Sequence, residues 1–159
     1  MATSNPWKVV MTDLATWEKR SLELKPASRI FIDGKFVDAA SGKTFDDVSP
    51  RDQRIVTKIA SGDVEDVNRA VASGLKAFES GVWSEMNPRD KKKIMLKWAQ
   101  LLNEHYEELA LLETLDVGKP ISDSLSVDSQ NMPRVIQWYA ETIDKTYDEI
   151  APSPRNGLA

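Results

Sequence analysis

The chain has 159 residues, of which 41% are hydrophobic and 29% are charged, and its formal net charge is −4. This is the composition of an ordinary globular protein that is long enough to bury a core. The negative charge argues against a nucleic-acid partner, since phosphate binding relies on clustered Lys and Arg. No apolar run is long enough to cross a bilayer, and the opening MATSNPWKVV lacks the parts of a secretory signal. We therefore expect a cytoplasmic protein that contacts no membrane.

Two residue counts limit the available chemistry. The chain has no cysteine, which excludes disulfides, thiolate metal sites and a cysteine nucleophile. Its single histidine, His105, leaves no pair of histidines for a metal and argues against a Ser-His-Asp triad. His105 falls on an apolar stripe, where we expect a packed or boundary residue. The sequence also contains no G-x-G-x-x-G segment and no Walker-type phosphate loop.

The first third of the chain predicts one short helix followed by strands. A helix is expected from Met11 to Leu24, and Pro26 ends it because proline disfavours helix in the residue before it. Asp33-Gly34 between two apolar segments predicts a hairpin, since a type I′ turn needs positive φ at both central residues. A second extended pair is expected over residues 43–48 and 55–60. Four strands without intervening helices indicate an antiparallel appendage, not the start of a parallel sheet.

Helices are predicted from residue 63 onwards. Asp63 is a suitable N-cap, and Gly81 ends the helix that follows it. Asn87-Pro88 begins the next helix, with asparagine as cap and proline at the first helical position. The basic cluster at that start is interpreted as a solvated helix face, with an acidic-ligand site as the alternative. The apolar stripe of the first of these helices consists of Val64, Val67, Val71, Leu75 and Phe78.

The apolar pattern predicts a long helical element after Asn87 and one further helix after it. Gly118 and Pro120 stop the long element in the expected order, and one continuous helix or two helices broken near His105 both fit it. A last helix carries apolar residues on one face up to Ile150, and we expect Pro133 to start or kink it. The ending APSPRNGLA indicates a loop. Tryptophans at helical spacing are interpreted as core: Trp83, Trp98 and Trp138.

Two stretches of the sequence resemble aldehyde dehydrogenases. RIFIDGKFVDAASGKTFDDVSPRDQRIVTKIASGDVEDVNRAV is similar to the opening of that family, with its F-I-N/D-G hairpin, G-K-T-F segment and D-V-D/E-x-A helix start. LALLETLDVGKPISDSL carries the family signature E-T-L-D-x-G-K-P, and RVIQWYAETIDK looks like the next helix. The resemblance runs from about Trp17 to the C-terminus. Within the family, the Trp17 segment and YAETIDKTYDE are most like the γ-glutamyl-γ-aminobutyraldehyde dehydrogenases of putrescine breakdown.

The resemblance implies an α/β, aldehyde dehydrogenase-like fold. This chain would be its N-terminal piece, mostly helical with short antiparallel strands near the start and with the Rossmann sheet largely missing. Four segments are then expected. They are an N-terminal extension with a short helix (1–28), antiparallel hairpins (29–62), helices of the N-terminal part of the NAD-binding domain (63–150) and a truncated, loop-like C-terminus (151–159).

The resemblance also implies a reaction that this chain lacks the residues to perform. In the family, a cysteine thiolate attacks the aldehyde, hydride passes to the nicotinamide, and a glutamate-activated water hydrolyses the thioester. The segments that supply these groups would lie beyond Ala159. We therefore expect NAD or NADP, an aldehyde substrate and homo-oligomerisation for the parent enzyme. For this chain we expect no catalytic residue, no cofactor-binding residue and no activity.

Two minor family roles carry over to matching residues. A structural cation would take oxygen ligands, which hard cations prefer, from Asp47, Val48 and Asp116, with a further ligand from the absent region. Asp128 and Asn131 match positions that line the substrate entrance, although an exposed polar helix face explains them equally well.

Three other residues of the signature are interpreted as structural. Gly118 is expected to form a left-handed cap. The positive charge of Lys119 is expected to interact favourably with the negative C-terminal end of the helix dipole. Glu113 is assigned no chemistry.

Two alternatives remain at this point. One is a stand-alone interaction module derived from an aldehyde dehydrogenase, which docks on a full-length enzyme or another partner. The other is a helical protein of unrelated function that shares the motifs by chance. The fragment hypothesis makes a specific structural prediction, which is that apolar helix faces are exposed because the sheet that would cover them is missing.

Overall fold

The computed structural model of the chain describes residues 13–145. The predicted positions of Met11, Tyr147 and Ile150 and the loop at 151–159 lie outside the described residues. In chain order the elements are α1 (Leu14–Glu23), β1 (Ile30–Ile32), β2 (Lys35–Val37), β3 (Thr44–Val48), β4 (Ile55–Ala60), α2 (Val64–Glu79), α3 (Pro88–Glu104), α4 (Tyr106–Val117), α5 (Ile121–Asp123), a π-helical segment (Ser124–Asp128) and α6 (Ser129–Thr142).

The four strands form two separate antiparallel pairs. β1 pairs with β2 across a turn in which Asp33 has φ 54° and Gly34 has φ 73°, as a type I′ turn requires. β3 pairs with β4, and the register shifts between Asp47 and Val48. Residues 13–145 contain no parallel strand pair. The prediction of an antiparallel appendage is confirmed.

The predicted helix starts are confirmed by their capping hydrogen bonds. The Asp63 carboxylate accepts a 3.0 Å hydrogen bond from the backbone N–H of Glu65. The Asn87 side-chain oxygen accepts one of 2.9 Å from Arg89, and Pro88 is the first residue of α3. These side chains satisfy N–H groups that have no partner within their own helix.

The long apolar element divides into two helices at His105, which is the C-cap residue of α3 and the N-cap residue of α4. The side chain of His105 is exposed, and its Nδ1 lies 3.3 Å from the carboxylate of Glu108. Of the two expectations for His105, a packed residue or a boundary residue, the first is therefore wrong. Its backbone marks the junction of two helices, while its ring remains in solvent.

The last helical region begins earlier than the sequence predicts. α5 and the π-helical segment precede α6, so Pro133 lies inside α6, where it is buried. Pro133 therefore does not start the helix. A π-helical turn accommodates one more residue than an α-helical turn. Side chains before and after the π-helical segment therefore point in different directions than they would in a continuous α-helix. Leu125 in this segment packs against α4, whereas α6 packs mainly against α3.

A small buried cluster around α4 forms the core. It joins Trp17 of α1 to Leu125 of the π-helical segment through three α4 residues, Ala110, Leu111 and Leu115. The guanidinium of Arg20 lies 4.5 Å from the Trp17 ring centroid and 2.9 Å from the Glu107 carboxylate. These contacts hold α1 on α4.

Outside this core, many large apolar side chains of α2, α3 and α6 are exposed. The predicted apolar stripe of α2 is 53–77% exposed. Trp83, Trp98 and Trp138, which their helical spacing assigns to a core, are between 47% and 65% exposed in this chain. Such exposure is what the fragment hypothesis predicts. Among the described helices, none is long and apolar enough to cross a membrane.

We expect Leu111→Ala to lower the free energy of unfolding by about 2–5 kcal/mol, because it leaves a cavity in the core. Leu22→Ala on α1 is the matched control, since Leu22 is 73% exposed against 4% for Leu111. Its effect should stay within about 0.5 kcal/mol. Urea unfolding followed by circular dichroism measures both. Equal losses would show that the cluster around α4 is not the core.

Candidate functional site

A cleft of about 480 Å³ lies between the β3–β4 hairpin and one face of α4. We call it the entrance cleft, because it contains Asp128, for which the resemblance predicts a place at a substrate entrance. The hairpin supplies apolar side chains from β4, α4 supplies Leu109 and Leu112, and the start of α6 supplies Met132. Four carboxylates line this largely apolar space: Asp47, Glu113, Asp116 and Asp128. Three of them were singled out from the sequence.

Asp47 and Asp116 come together in the entrance cleft, although they lie on different elements. Burial raises the pKa of Asp47 above its ordinary value, and the negative charge of Asp116 and a hydrogen bond to it raise it further. Two adjacent carboxylates are electrostatically unfavourable unless a proton or a cation lies between them. The pair therefore has the chemistry of a cation ligand set.

The pair is only part of a complete metal site. The described residues contain no group of three or more His, Cys, Asp or Glu side chains placed to hold a metal ion. Val48, the third predicted ligand, would contribute its backbone oxygen. It lies at the register shift of the β3–β4 ladder, where regular pairing of the backbone is interrupted.

Lys119 joins two of the cleft carboxylates. Its ammonium lies 3.4 Å from Glu113 and in direct contact with Asp128. The hydrogen bond to Asp128 is the main cause of a raised pKa for Lys119, and Glu113 contributes in the same direction. The sequence predicts that the positive charge of Lys119 interacts with the negative C-terminal end of the α4 helix dipole. Instead, the structure pairs it with carboxylates that come from α4 and from the π-helical segment.

Gly118 has two reasons to be glycine. It ends α4 with φ 81°, as the predicted left-handed cap requires, and its N–H donates to the carbonyl of Thr114. A Cβ at this position would also lie 2.7 Å from Cγ of Pro50. The close approach brings the turn after β3 against the end of α4. This contact was not predicted from the sequence.

The π-helical segment positions Asp128 at the cleft. The Ser129 hydroxyl donates a 2.8 Å hydrogen bond to the Ser124 carbonyl, and the Ser124 and Thr114 hydroxyl oxygens are 2.9 Å apart. Both serines are buried. Nothing in the apolar periodicity indicated these positions. Asn131, the other predicted entrance residue, is exposed on α6 and does not line the cleft.

The strands of the described residues are not paired as in a Rossmann-type dinucleotide site. Pyrophosphate binding of the Rossmann type needs a parallel strand followed by a glycine-rich turn and a helix N-terminus. Residues 13–145 provide two antiparallel hairpins instead. We therefore assign no hydride-transfer step to them.

Comparison with known proteins identifies the family. The sequence matches the aldehyde dehydrogenase family over residues 36–159. The chain belongs to the aldehyde dehydrogenase family. It is 44% identical over 146 residues to the NADP/NAD-dependent aldehyde dehydrogenase PuuC of Escherichia coli K12, covering 92% of this chain and 30% of that protein. The hypothesis of an unrelated helical protein is wrong.

Solved structures of aldehyde dehydrogenases superpose on this chain. The γ-glutamyl-γ-aminobutyraldehyde dehydrogenase of Burkholderia cenocepacia is 48% identical with a TM-score of 0.85, covering 88% of this chain and 28% of that one. The indole-3-acetaldehyde dehydrogenase of P. syringae, in a complex with NAD⁺ and IAA, is 51% identical with a TM-score of 0.85, covering 91% and 29%. The chain spans about 30% of the length of the curated relative described above.

We expect Asp47→Asn to raise the free energy of unfolding at neutral pH, because it removes a charge that faces Asp116. The folded state raises the pKa of Asp47 above 3.8, so the destabilising effect exists above the raised pKa. It disappears as the pH falls towards 3.8. Urea unfolding at neutral pH and below 3.8 measures this dependence.

Asp46→Asn is the control for this prediction. Asp46 lies on the same strand but pairs with Lys58 at 2.6 Å, so removing its charge should not stabilise the fold. If Asp47→Asn leaves the stability unchanged or lowers it at neutral pH, the two carboxylates do not repel each other as described.

Proposed function

We propose that this chain forms the N-terminal part of an NAD(P)-dependent aldehyde dehydrogenase, which oxidises an aldehyde to a carboxylate. The family match over residues 36–159 carries the proposal. The identity to an enzyme named as NADP/NAD-dependent and the NAD⁺ complex of the P. syringae protein support the choice of cofactor for the longer enzyme.

We infer that the chain by itself does not catalyse this oxidation. The family reaction needs a thiolate, which is a strong nucleophile near neutral pH, and the sequence contains no cysteine. The strands of residues 13–145 also form no parallel pair of the kind that a Rossmann dinucleotide site needs. The contribution of this chain to the longer enzyme is then the entrance cleft and the structural support around it.

We assign Asp128 to the substrate entrance of the longer enzyme. Asp128 lines the entrance cleft beside Ser129 and Met132, and Lys119 holds its carboxylate in place. Asn131 lies outside the entrance cleft. Its assignment to the substrate entrance therefore stays a prediction.

We also propose that Asp47, Val48 and Asp116 contribute to a structural cation site. An oxygen-ligated hard cation would neutralise the two facing carboxylates. The bound cation would thereby remove the cost of bringing them together. The proposed site joins β3 to the end of α4.

Added CaCl₂ should raise the melting temperature of the unmodified chain, because a cation that binds only the folded state stabilises it. Asp116→Asn should remove this response, while the matched variant Asp46→Asn should keep it. Choline chloride at the same ionic strength controls for screening. A response to calcium that Asp116→Asn retains would contradict the assignment.

We propose γ-glutamyl-γ-aminobutyraldehyde, an intermediate of putrescine breakdown, as the substrate of the longer enzyme. The likeness to the B. cenocepacia enzyme supports it. The P. syringae enzyme, named for indole-3-acetaldehyde, is similarly close. Comparing kcat/KM for these two aldehydes in the longer enzyme distinguishes them.

The exposed apolar faces of α2, α3 and α6 favour a polypeptide that needs a covering partner. In the longer enzyme, which we propose to be a homo-oligomer, the Rossmann sheet would cover them. The second candidate is a stand-alone interaction module whose exposed faces dock on another protein. A sharp, two-state melt of a monomer would favour the module, whereas self-association and a broad melt would favour the fragment.

We expect no NADH formation when the purified chain is mixed with NAD⁺ and an aldehyde. Joining it to the part of the E. coli relative that follows the matched region should restore NADH formation, measured by absorbance. The same C-terminal part alone is the control. NADH formation by the chain alone would contradict the proposed inactivity, and an inactive but folded fusion would contradict the proposed function.

A further inference from the structure

A second cleft, of about 380 Å³, lies beneath α1 on the other face of α4. We call it the α1 cleft. Thr114 and Gly118 line it, whereas Glu113 and Asp116 line the entrance cleft. Successive residues of an α-helix point about 100° apart, so these two pairs project from nearly opposite faces. The two clefts share Leu115 in their lining but otherwise open on different faces of α4.

The floor of the α1 cleft is the buried core itself. Trp17, Leu111 and Leu115 belong both to the core cluster and to the lining of the cleft. The indole Nε1 of Trp17 is buried and has no hydrogen-bond partner among the described residues. A buried donor without a partner is unfavourable. The floor of the cleft is thus apolar, and the unpaired N–H group lies beneath its surface.

The rim of the α1 cleft carries an exchangeable cation. Arg51 lies 3.4 Å from Glu18, and both side chains are more than half exposed. Exposed pairs of this kind contribute little to stability, so the guanidinium is free to take another carboxylate. Lys119 also lines the cleft, but its ammonium already contacts carboxylates of the entrance cleft.

We propose that the α1 cleft binds a small apolar carboxylate. The hydrocarbon part of the ligand lies against Trp17 and the α4 leucines. Its carboxylate replaces Glu18 on Arg51, where a guanidinium can donate two parallel hydrogen bonds. The cleft volume falls within the range of small-molecule sites, roughly 300–1,000 Å³. This inference does not depend on aldehyde oxidation, because Arg51 and Glu18 do not line the entrance cleft.

Phenylacetate and its neutral analogue phenylacetamide test the proposal by isothermal titration calorimetry on the whole 159-residue chain. Phenylacetate should bind more tightly than phenylacetamide. Arg51→Gln should weaken phenylacetate binding by about five-fold, because it removes the cation that receives the ligand. Glu18→Gln should strengthen it by a similar factor, because it removes the competing carboxylate. Neither variant should change the binding of phenylacetamide.

Lys97→Gln is the matched control, since it removes an exposed positive charge on α3, away from the cleft. Equal binding of the two probes would overturn the proposal. An unchanged affinity for phenylacetate in both rim variants would overturn it as well, because adsorption on the exposed faces of α2 or α6 would not depend on Arg51 and Glu18. Circular dichroism of each variant verifies that the fold is retained.

Discussion

The burial of α4 is the constraint on which the rest of the structure depends. Its apolar residues point in several directions, and a helix of that kind must be covered on more than one side. Trp17 of α1 covers one side, and Leu125 of the π-helical segment covers another. The β3–β4 hairpin lies across a third and leaves the entrance cleft. Both clefts therefore exist because neighbours of α4 surround it without filling the space completely.

Asp66 and Asp47 differ in how their neighbours affect their negative charge. Asp66 is buried, and its oxygens accept hydrogen bonds from the backbone N–H groups of Ala40 and Asp63. Those donors satisfy its charge, so its role is to hold α2 against the hairpin segment. Asp47 instead faces Asp116, a like charge. A charge whose partner raises its energy indicates function more strongly than one that the backbone satisfies.

The helices differ in how much of their apolar surface is covered by the rest of the described chain. α4 has its partners within residues 13–145, whereas α2 contacts little more than β1. Helix α2 is nevertheless well specified locally, because Asp63 and Asp66 cap its start. Local chemistry therefore forms the helix, and its apolar face remains available for a partner. This difference explains how one chain combines a well-packed centre with exposed apolar helix faces that a partner could cover.

The sequence by itself determined the features that depend on neighbouring residues. The turn at Asp33-Gly34, the caps at Asp63 and Asn87 and the left-handed Gly118 follow from backbone geometry and hydrogen bonds within a few residues. The family also followed from local motifs. The π-helical turn and the burial of Pro133 depend on packing between distant segments, as does the exposure of the tryptophans. The resemblance had placed Asp47 and Asp116 in one predicted site, and the structure brings them together. Only the tertiary structure placed Lys119 beside Asp128 and Pro50 against Gly118, because such contacts arise when whole elements pack and leave no periodic signal in the chain.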